Sequence, residues 1–211
     1  MVSKIPMKGK ICSKGRLLRK IWMIWICFSS SGGILQSPHL LSPGEFAIGI
    51  EPEVLIYTRN DTLRADLGVQ LKYTHGLNNY CDGTLIAGTG NGLRKMRFGG
   101  NIKFEVLSDL EYWFGIGTVM QGLYLRRLET HSFEASLTPY LHRPQLYQDH
   151  LIHPFLAFPL GIHFIEDSYQ FQYGLSVGCA FLHNEHFRTY LELGINWKAN
   201  VSLSGGFVYY R

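Results

Sequence analysis

Residues 62–74 read TLRADLGVQLKYT, and from Leu63 to Thr74 apolar and polar side chains alternate without a break. Arg64, Asp66 and Lys72 lie among the polar positions. Because successive side chains of a β-strand point to opposite faces, the pattern predicts one long strand with one apolar and one polar face. YQFQYGLSVGCAF at 169–181 repeats the pattern. Two separate stretches of this kind favour a fold built from long strands.

The rest of the chain from Glu45 onward alternates in the same way, with turn residues between the segments. We predict ten strands joined by hairpin-length links, at 45–57, 62–74, 80–89, 96–107, 111–125, 131–142, 154–164, 169–181, 189–198 and 201–211. HRPQLYQDH at 142–150 is predicted as the longest irregular connection. The third strand is the least regular, and the seventh contains two prolines, which cost hydrogen bonds in a sheet. Eight or twelve strands are therefore alternatives to ten.

Strand length and the content of the polar rows favour a membrane barrel. Several predicted strands have about 12–14 residues, whereas strands of soluble proteins usually have about 5–6. Gly, Ser and Gln fill most polar positions, which suits a narrow lumen, and aromatic residues lie near strand ends, as they do at bilayer interfaces. These features predict an all-β fold, an antiparallel up-and-down transmembrane β-barrel. The alternative is a soluble periplasmic barrel that binds an apolar ligand.

The first residues of the chain predict export. Residues 1–20 contain seven of the twenty basic residues and no acidic one, and the apolar run IWMIWICF follows at 21–28. This order is typical of a signal peptide, with an N-terminal amphipathic or buried helix as the alternative. We expect a signal peptide over 1–33, a short extension over 34–44 and the barrel over 45–211. Beyond the leader, thirteen basic residues stand against sixteen acidic ones, so the charge does not predict a nucleic-acid partner.

Residues 45–211 resemble small bacterial outer-membrane β-barrel proteins. The pieces GTGNGLRKMRFGGNIKF (88–104), PFLAFPLGI (154–162) and SGGFVYY (204–210) carry the resemblance, together with the overall architecture. It implies an outer-membrane location, with outer-membrane lipid and the barrel-assembly machinery as partners. Such barrels tend to end on an aromatic residue that is recognised during assembly, whereas the last residue here is Arg211. Long extracellular loops, which are usual in this group, are not predicted, and this argues against receptor or adhesin roles.

The polar rows place eleven ionic side chains in the predicted lumen. They are Glu51, Glu53, Arg64, Asp66, Lys72, Arg97, Lys103, Glu105, Glu134, Glu192 and Lys198. Acidic and basic residues nearly balance, and an isolated charge in a poorly hydrated space is costly. We therefore expect a structural salt-bridge lattice, with a narrow ion-conducting path as the alternative. Wide aqueous channels occur near sixteen strands, so about ten strands favour a filled lumen.

The histidines do not predict a metal site. Six of the nine fall near the connections of one rim: His75, His142, His150, His153, His183 and His186. Zinc needs three or four ligands in a fixed geometry, and no Cys or spaced carboxylate completes a recognisable set. We therefore expect a solvated histidine rim and no metal or other cofactor.

The sequence contains no recognisable catalytic constellation. His131 and Ser132 are adjacent and therefore point to opposite faces of a strand, and the His-x-Ser motif of lipid A deacylases is absent. We predict that the chain is not an enzyme, with a lipid-modifying barrel enzyme as the second alternative.

Two cysteines, Cys81 and Cys179, lie beyond the predicted leader. Although export permits disulfides, the predicted map places these residues on the third and the eighth strand. We therefore expect two unpaired thiols.

Overall fold

A computed structural model describes residues 38–59, 62–91, 96–109, 112–127, 130–147, 150–165, 168–196 and 200–211. The predicted signal peptide (1–33) lies outside these ranges and stays a prediction. The strands are β1 Phe46–Arg59, β2 Thr62–Asn78, β3 Cys81–Gly90, β4 Met96–Leu107, β5 Gly115–Arg127, β6 Thr130–His142, β7 Gln145–Tyr147, β8 His150–Ala157, β9 Leu160–Ile165, β10 Ser168–Asn184, β11 Phe187–Asn196 and β12 Val201–Tyr210. Within the described ranges, no helix is long and apolar enough to cross a bilayer.

The strands form a closed antiparallel barrel with ten positions. Strands β1 to β6 pair in sequence order, and β10, β11 and β12 continue the circle. Strand β12 pairs with β1, with Ala47 opposite Tyr210, and this pairing closes the barrel. Strands β8 and β9 share one position, since both pair with β6 on one side and β10 on the other. The predicted fold class and the predicted ten barrel positions are confirmed.

The seventh predicted strand is broken at a proline. Strand β8 ends at Ala157 and β9 begins at Leu160, with Phe158 and Pro159 between them. Pro159 has no amide hydrogen and cannot donate to a neighbouring strand. The Phe158 amide instead donates to the carbonyl of Pro139 at 2.9 Å, and the Gly174 amide donates to the carbonyl of Pro159 at 3.0 Å. These two bonds hold the break in line with the barrel wall.

Several predicted boundaries are wrong; for example, β2 extends to Asn78 instead of 74 and β10 to Asn184 instead of 181. The segment 142–150 is not irregular throughout, because β7 forms a hairpin with β8 in which Leu146 lies opposite Leu151. The fifth predicted strand starts at Gly115 instead of 111, because a turn precedes it. That turn is closed by the Tyr112 amide, which donates to the carbonyl of Ser108 at 3.1 Å.

The apolar rows face outward and the polar rows face inward. In β2, Leu67 and Val69 are exposed, whereas Asp66 and Lys72 are buried. Strand β10 follows the same rule, since Val177 points outward and is 50% exposed. This orientation is that of a transmembrane barrel, whereas a soluble barrel with an apolar interior requires the opposite one.

The interior also contains apolar side chains, which the sequence pattern did not predict. Three clusters are buried there: Val119, Tyr140, Phe155 and Ala157; Ile86, Leu123 and Leu125; and Leu41, Ala47, Ala180, Tyr190, Val208 and Tyr210. Buried polar residues lie on the same inner rows. The lumen is therefore packed by both kinds of side chain.

Residues 38–44, here called the N-terminal segment, contact the rim where β1 begins and β12 ends, here called the terminal rim. Pro38 and Leu41 are buried, and the Gly44 amide donates to the carbonyl of Gly76 at 3.1 Å. A Cβ on Gly76 would lie 2.1 Å from the carbonyl oxygen of Ser42, so the close approach requires glycine. The segment therefore packs against the inside of the barrel at this rim.

Cys81 and Cys179 form no disulfide within the described ranges, as expected. Cys81 is buried, whereas Cys179 is half-buried on the outward row of β10.

Candidate functional site

The candidate site is the charged lumen. Eight of the eleven predicted lumen residues are buried: Glu51, Glu53, Asp66, Lys72, Arg97, Lys103, Glu134 and Glu192. Glu105 is half-buried, and Lys198 lies outside the described residues. Arg64 shares the inner-row parity of Asp66 and Lys72 but is exposed, so it is not part of the buried set. It lies near the start of β2, at a strand end where a long side chain reaches solvent.

Glu51, at the middle of β1, is the most completely enclosed of these carboxylates. Lys72 Nζ on β2 and the Tyr190 hydroxyl on β11 both donate to its Oε2. Gln70 Nε2 donates to the other oxygen at 3.4 Å. Both carboxylate oxygens therefore have donors, and the buried negative charge has a cationic partner, as burial of a charge requires.

Glu53 and Arg97 form a second buried pair. Arg97 Nη1 donates to Glu53 Oε2 at 3.1 Å, and Nη2 donates to Oε1, so the contact is bidentate. Gln70 Nε2 also donates to Glu53 Oε2 at 3.1 Å and so links this pair to Glu51. A Cβ at Gly68 would lie 3.0 Å from Glu53 Oε1, so the glycine leaves room for the carboxylate. The pair joins β1 to β4 across the inside of the barrel.

A third ion pair lies near the terminal rim. Lys103 Nζ lies 2.9 Å from Asp82 Oδ2 and donates to the carbonyl of His39 at 2.6 Å. Asp82 was missed by the sequence analysis because the third strand alternates least clearly. Its place on the same row as Thr84 and Ile86 is the signal that would have found it. Lys103 thus connects the barrel wall to the N-terminal segment.

Three histidines and two carboxylates lie together beside this pair. His142 Nε2 lies 3.4 Å from Glu105 Oε1, and His142 Nδ1 lies 3.6 Å from Asp109 Oδ2. His39 Nδ1 lies 3.4 Å from the same Asp109 oxygen, and the rings of His39 and His153 are 4.2 Å apart. Burial and the neighbouring His153 lower the pKa of His39 to about 2, so its ring is neutral at pH 7.

The expected solvated histidine rim is wrong for two of its members. His142 is 1% exposed and His153 is 2% exposed, because both lie on inner rows at the terminal rim. His39 and Asp109 were not considered, since neither lies on a predicted strand and no sequence spacing links them. His183 and His186 are exposed, as expected.

The opposite end of the lumen also contains buried polar side chains. The Tyr57 hydroxyl donates to Asp66 Oδ1 at 3.3 Å. Glu134 is buried and lies opposite His163 in the pairing of β6 with β9. The candidate catalytic neighbours His131 and Ser132 are separated as predicted, with His131 exposed on the outer face and Ser132 buried inside.

Comparison with known proteins finds similarity of architecture only. No protein-family model matches the chain, and no curated protein sequence does. An outer membrane channel from Pseudomonas putida F1 is similar at 11% identity and a TM-score of 0.44, over 87% of this chain and 100% of that one. The KdgM porin is similar at 10% identity and a TM-score of 0.40, over 77% and 98% of the two chains. Outer membrane protein OprG from Pseudomonas aeruginosa is similar at 12% identity and a TM-score of 0.33, over 82% and 98%. At these values the likeness carries no information about what this chain binds or transports.

Proposed function

We propose that this chain is an exported, integral outer-membrane barrel with a structural role, whose lumen is closed by paired charges and by the N-terminal segment. The proposal includes no catalytic activity. Its partners are outer-membrane lipid and the machinery that assembles barrels in that membrane. The observation that carries it is the combination of an apolar outer face with buried charges inside.

The apolar outer face extends around the whole barrel. Every one of the ten positions exposes at least one large apolar side chain, for example Ile50, Leu71, Leu85, Ile102, Met120, Leu137, Leu160, Leu175, Leu193 and Leu203. Contiguous apolar patches on water-soluble monomers rarely exceed a few hundred Å². A band of this extent is stable against acyl chains and favours lipid as the surrounding medium.

The packing of the lumen supports closure. The pairs Glu51–Lys72 and Glu53–Arg97 lie at mid-barrel, where Gln70 bonds to both carboxylates. The N-terminal segment packs at the terminal rim, where Tyr140 donates to the carbonyl of Pro38 at 3.4 Å. Because the barrel has ten strand positions, it belongs with the small barrels whose interior is filled by side chains.

The membrane part of the proposal is tested by fractionation and gel mobility. The protein is expected in the washed outer-membrane fraction, as a band whose mobility shifts on boiling. Val69→Arg and Val177→Arg each place a charge on the exposed apolar row and should cost about 2–4 kcal/mol if the site lies near the bilayer midplane. Arg64→Leu is the matched control and should be tolerated. Soluble periplasmic protein without a mobility shift would contradict the membrane location, and tolerated Val69→Arg and Val177→Arg changes would mean that this apolar row does not face lipid.

Closure of the lumen is tested by conductance in planar bilayers. The folded protein should produce no discrete conductance steps at concentrations at which a known porin opens readily. Reproducible small steps that change in size with Lys72→Gln would contradict closure and favour the narrow ion path.

A further inference from the structure

Four potential metal ligands from four separate parts of the chain meet at the terminal rim. His39 comes from the N-terminal segment, Asp109 from the connection after β4, His142 from the end of β6 and His153 from β8. Each residue offers one ligand atom, and all four atoms lie within 4.8 Å of one another. Barrel closure and the inward path of the N-terminal segment bring them together.

The spacing of these atoms suits a tetrahedral ion. Asp109 Oδ2 lies 3.4 Å from His39 Nδ1 and 3.6 Å from His142 Nδ1. Around zinc, with metal–ligand distances of about 2.0–2.2 Å, two ligand atoms of a tetrahedron are separated by roughly 3.3–3.6 Å. The Asp109 carboxylate therefore already lies at the separation from two of the imidazoles that such an ion requires.

The cluster also contains buried nitrogen atoms without a hydrogen bond. Both ring nitrogens of His142 and Nδ1 of His153 are buried and make no hydrogen bond within the described residues. Leaving a buried polar atom unsatisfied costs about 1–3 kcal/mol. Coordination by a cation would give one nitrogen of each of these rings a partner that the packing alone does not supply.

We infer that His39, Asp109, His142 and His153 bind one divalent first-row metal ion of the Zn²⁺ class. Imidazole nitrogen and carboxylate oxygen are ligands that Zn²⁺ accepts in tetrahedral sites. When His142 binds through Nδ1, its Nε2 lies 3.4 Å from Glu105 Oε1. A carboxylate behind a histidine ligand is the usual arrangement that orients the ring and raises its basicity.

The charges around the cluster are compatible with a cation. Asp109 supplies one negative charge to the ion, and Glu105 supplies a second behind His142. Of the neighbouring cations, Lys103 is paired with Asp82 at 2.9 Å, and Arg188 stacks on the ring of Tyr210 at 4.3 Å. The bound ion would join the N-terminal segment to three elements of the wall and fasten that segment in the lumen. This inference goes beyond the proposed function and does not depend on where the barrel resides.

The test is metal binding to the folded, full barrel after removal of metal with a chelator. Titration with Zn²⁺ should give one ion per chain, and Co²⁺ should give the intense visible absorption of tetrahedral coordination. Asp109→Asn and His142→Gln should each weaken Zn²⁺ binding by more than about 100-fold, since even outer-shell changes cost about 10–100-fold. His163→Gln is the matched control, because His163 is equally buried but lies toward the other rim. It should bind Zn²⁺ like the unchanged protein.

Heat-dependent gel mobility shows separately whether each variant is folded. If Asp109→Asn and His142→Gln do not fold, His39→Gln still tests the site. His39 lies outside every strand, so we expect this variant to fold. Failure of the unchanged barrel to bind Zn²⁺, or equal binding by His39→Gln and the control, would overturn the inference. Failure of the proposed membrane location would appear in fractionation and would leave the metal titration unchanged.

Discussion

Removing the guanidinium of Arg97 should strongly destabilise the barrel. Arg97 and Glu53 form a bidentate pair whose side chains are each 2% exposed. Arg97→Met leaves Glu53 as a buried, uncompensated carboxylate, and breaking such a pair from one side costs about 3–5 kcal/mol. Glu53 keeps the hydrogen bond that Gln70 donates at 3.1 Å, which places the expected loss near the lower end, about 3 kcal/mol.

A double-mutant cycle separates the pair from its surroundings. Glu53→Gln leaves the buried Arg97 guanidinium without a charged partner, and the Nε of that group already makes no hydrogen bond in the described structure. This change should therefore cost as much stability as Arg97→Met or more. The double variant removes both charges and should lose less than the sum of the single changes, by at least about 1 kcal/mol. Arg64→Met, at an exposed arginine, is the control and should stay within about 0.5 kcal/mol of the unchanged protein.

The assay is urea unfolding of the barrel from lipid vesicles, followed by tryptophan fluorescence and by gel mobility without boiling. Two results would refute the reasoning. One is an Arg97→Met loss no larger than that of Arg64→Met. The other is a double variant whose loss equals the sum of the single losses, because the buried charges would then not be coupled. Either result would also remove the main support for a lumen closed by paired charges.

Two further expectations concern packing and exposure. Gly117→Ala should cost about 1–3 kcal/mol in the same unfolding assay, because a Cβ there would lie 2.3 Å from the Tyr140 ring. Gly122→Ala is the control and should be nearly neutral, since the nearest atom to its Cβ would be 3.4 Å away. Equal losses would mean that the interior is less tightly packed than described. A lipid-soluble maleimide should modify Cys179 but not the buried Cys81 in the folded barrel, as read by peptide mass, and both should react after unfolding. Faster reaction of Cys81 than of Cys179 in the folded state would contradict the burial of Cys81.

The sequence predicts the barrel well because the required information is local. In β2 and β10, the side chains of one strand show which row is apolar, and a single inward or outward choice then orients all of them. That choice follows from strand length and from the small polar residues of the inner row. The inward direction and pairing of Glu51 and Glu53 could therefore be predicted from the sequence. Which residue pairs with each of them could not, because that depends on the strand register.

Prediction fails where both rows of a strand are apolar. Strand β5 places Val119, Leu123 and Leu125 inside while Met120 and Tyr124 face outward. A packed lumen accepts apolar side chains as readily as paired polar ones, so hydrophobicity does not distinguish the two faces of such a strand. The break between β8 and β9 is a different case, because proline interrupts the ladder without interrupting the barrel.

The histidine cluster shows which part of a site depends on tertiary structure alone. His142 continues the inner row of Glu134, Ser136 and Thr138, so strand parity predicts its inward direction even though it lies at the rim. An inner-row residue at the last rung of a strand faces solvent unless something fills the lumen there. In this barrel the N-terminal segment fills it and brings His39 within 3.4 Å of Asp109. Strand parity therefore predicts which rim residues point inward. The set of four ligands forms only because the N-terminal segment brings His39 to the same place.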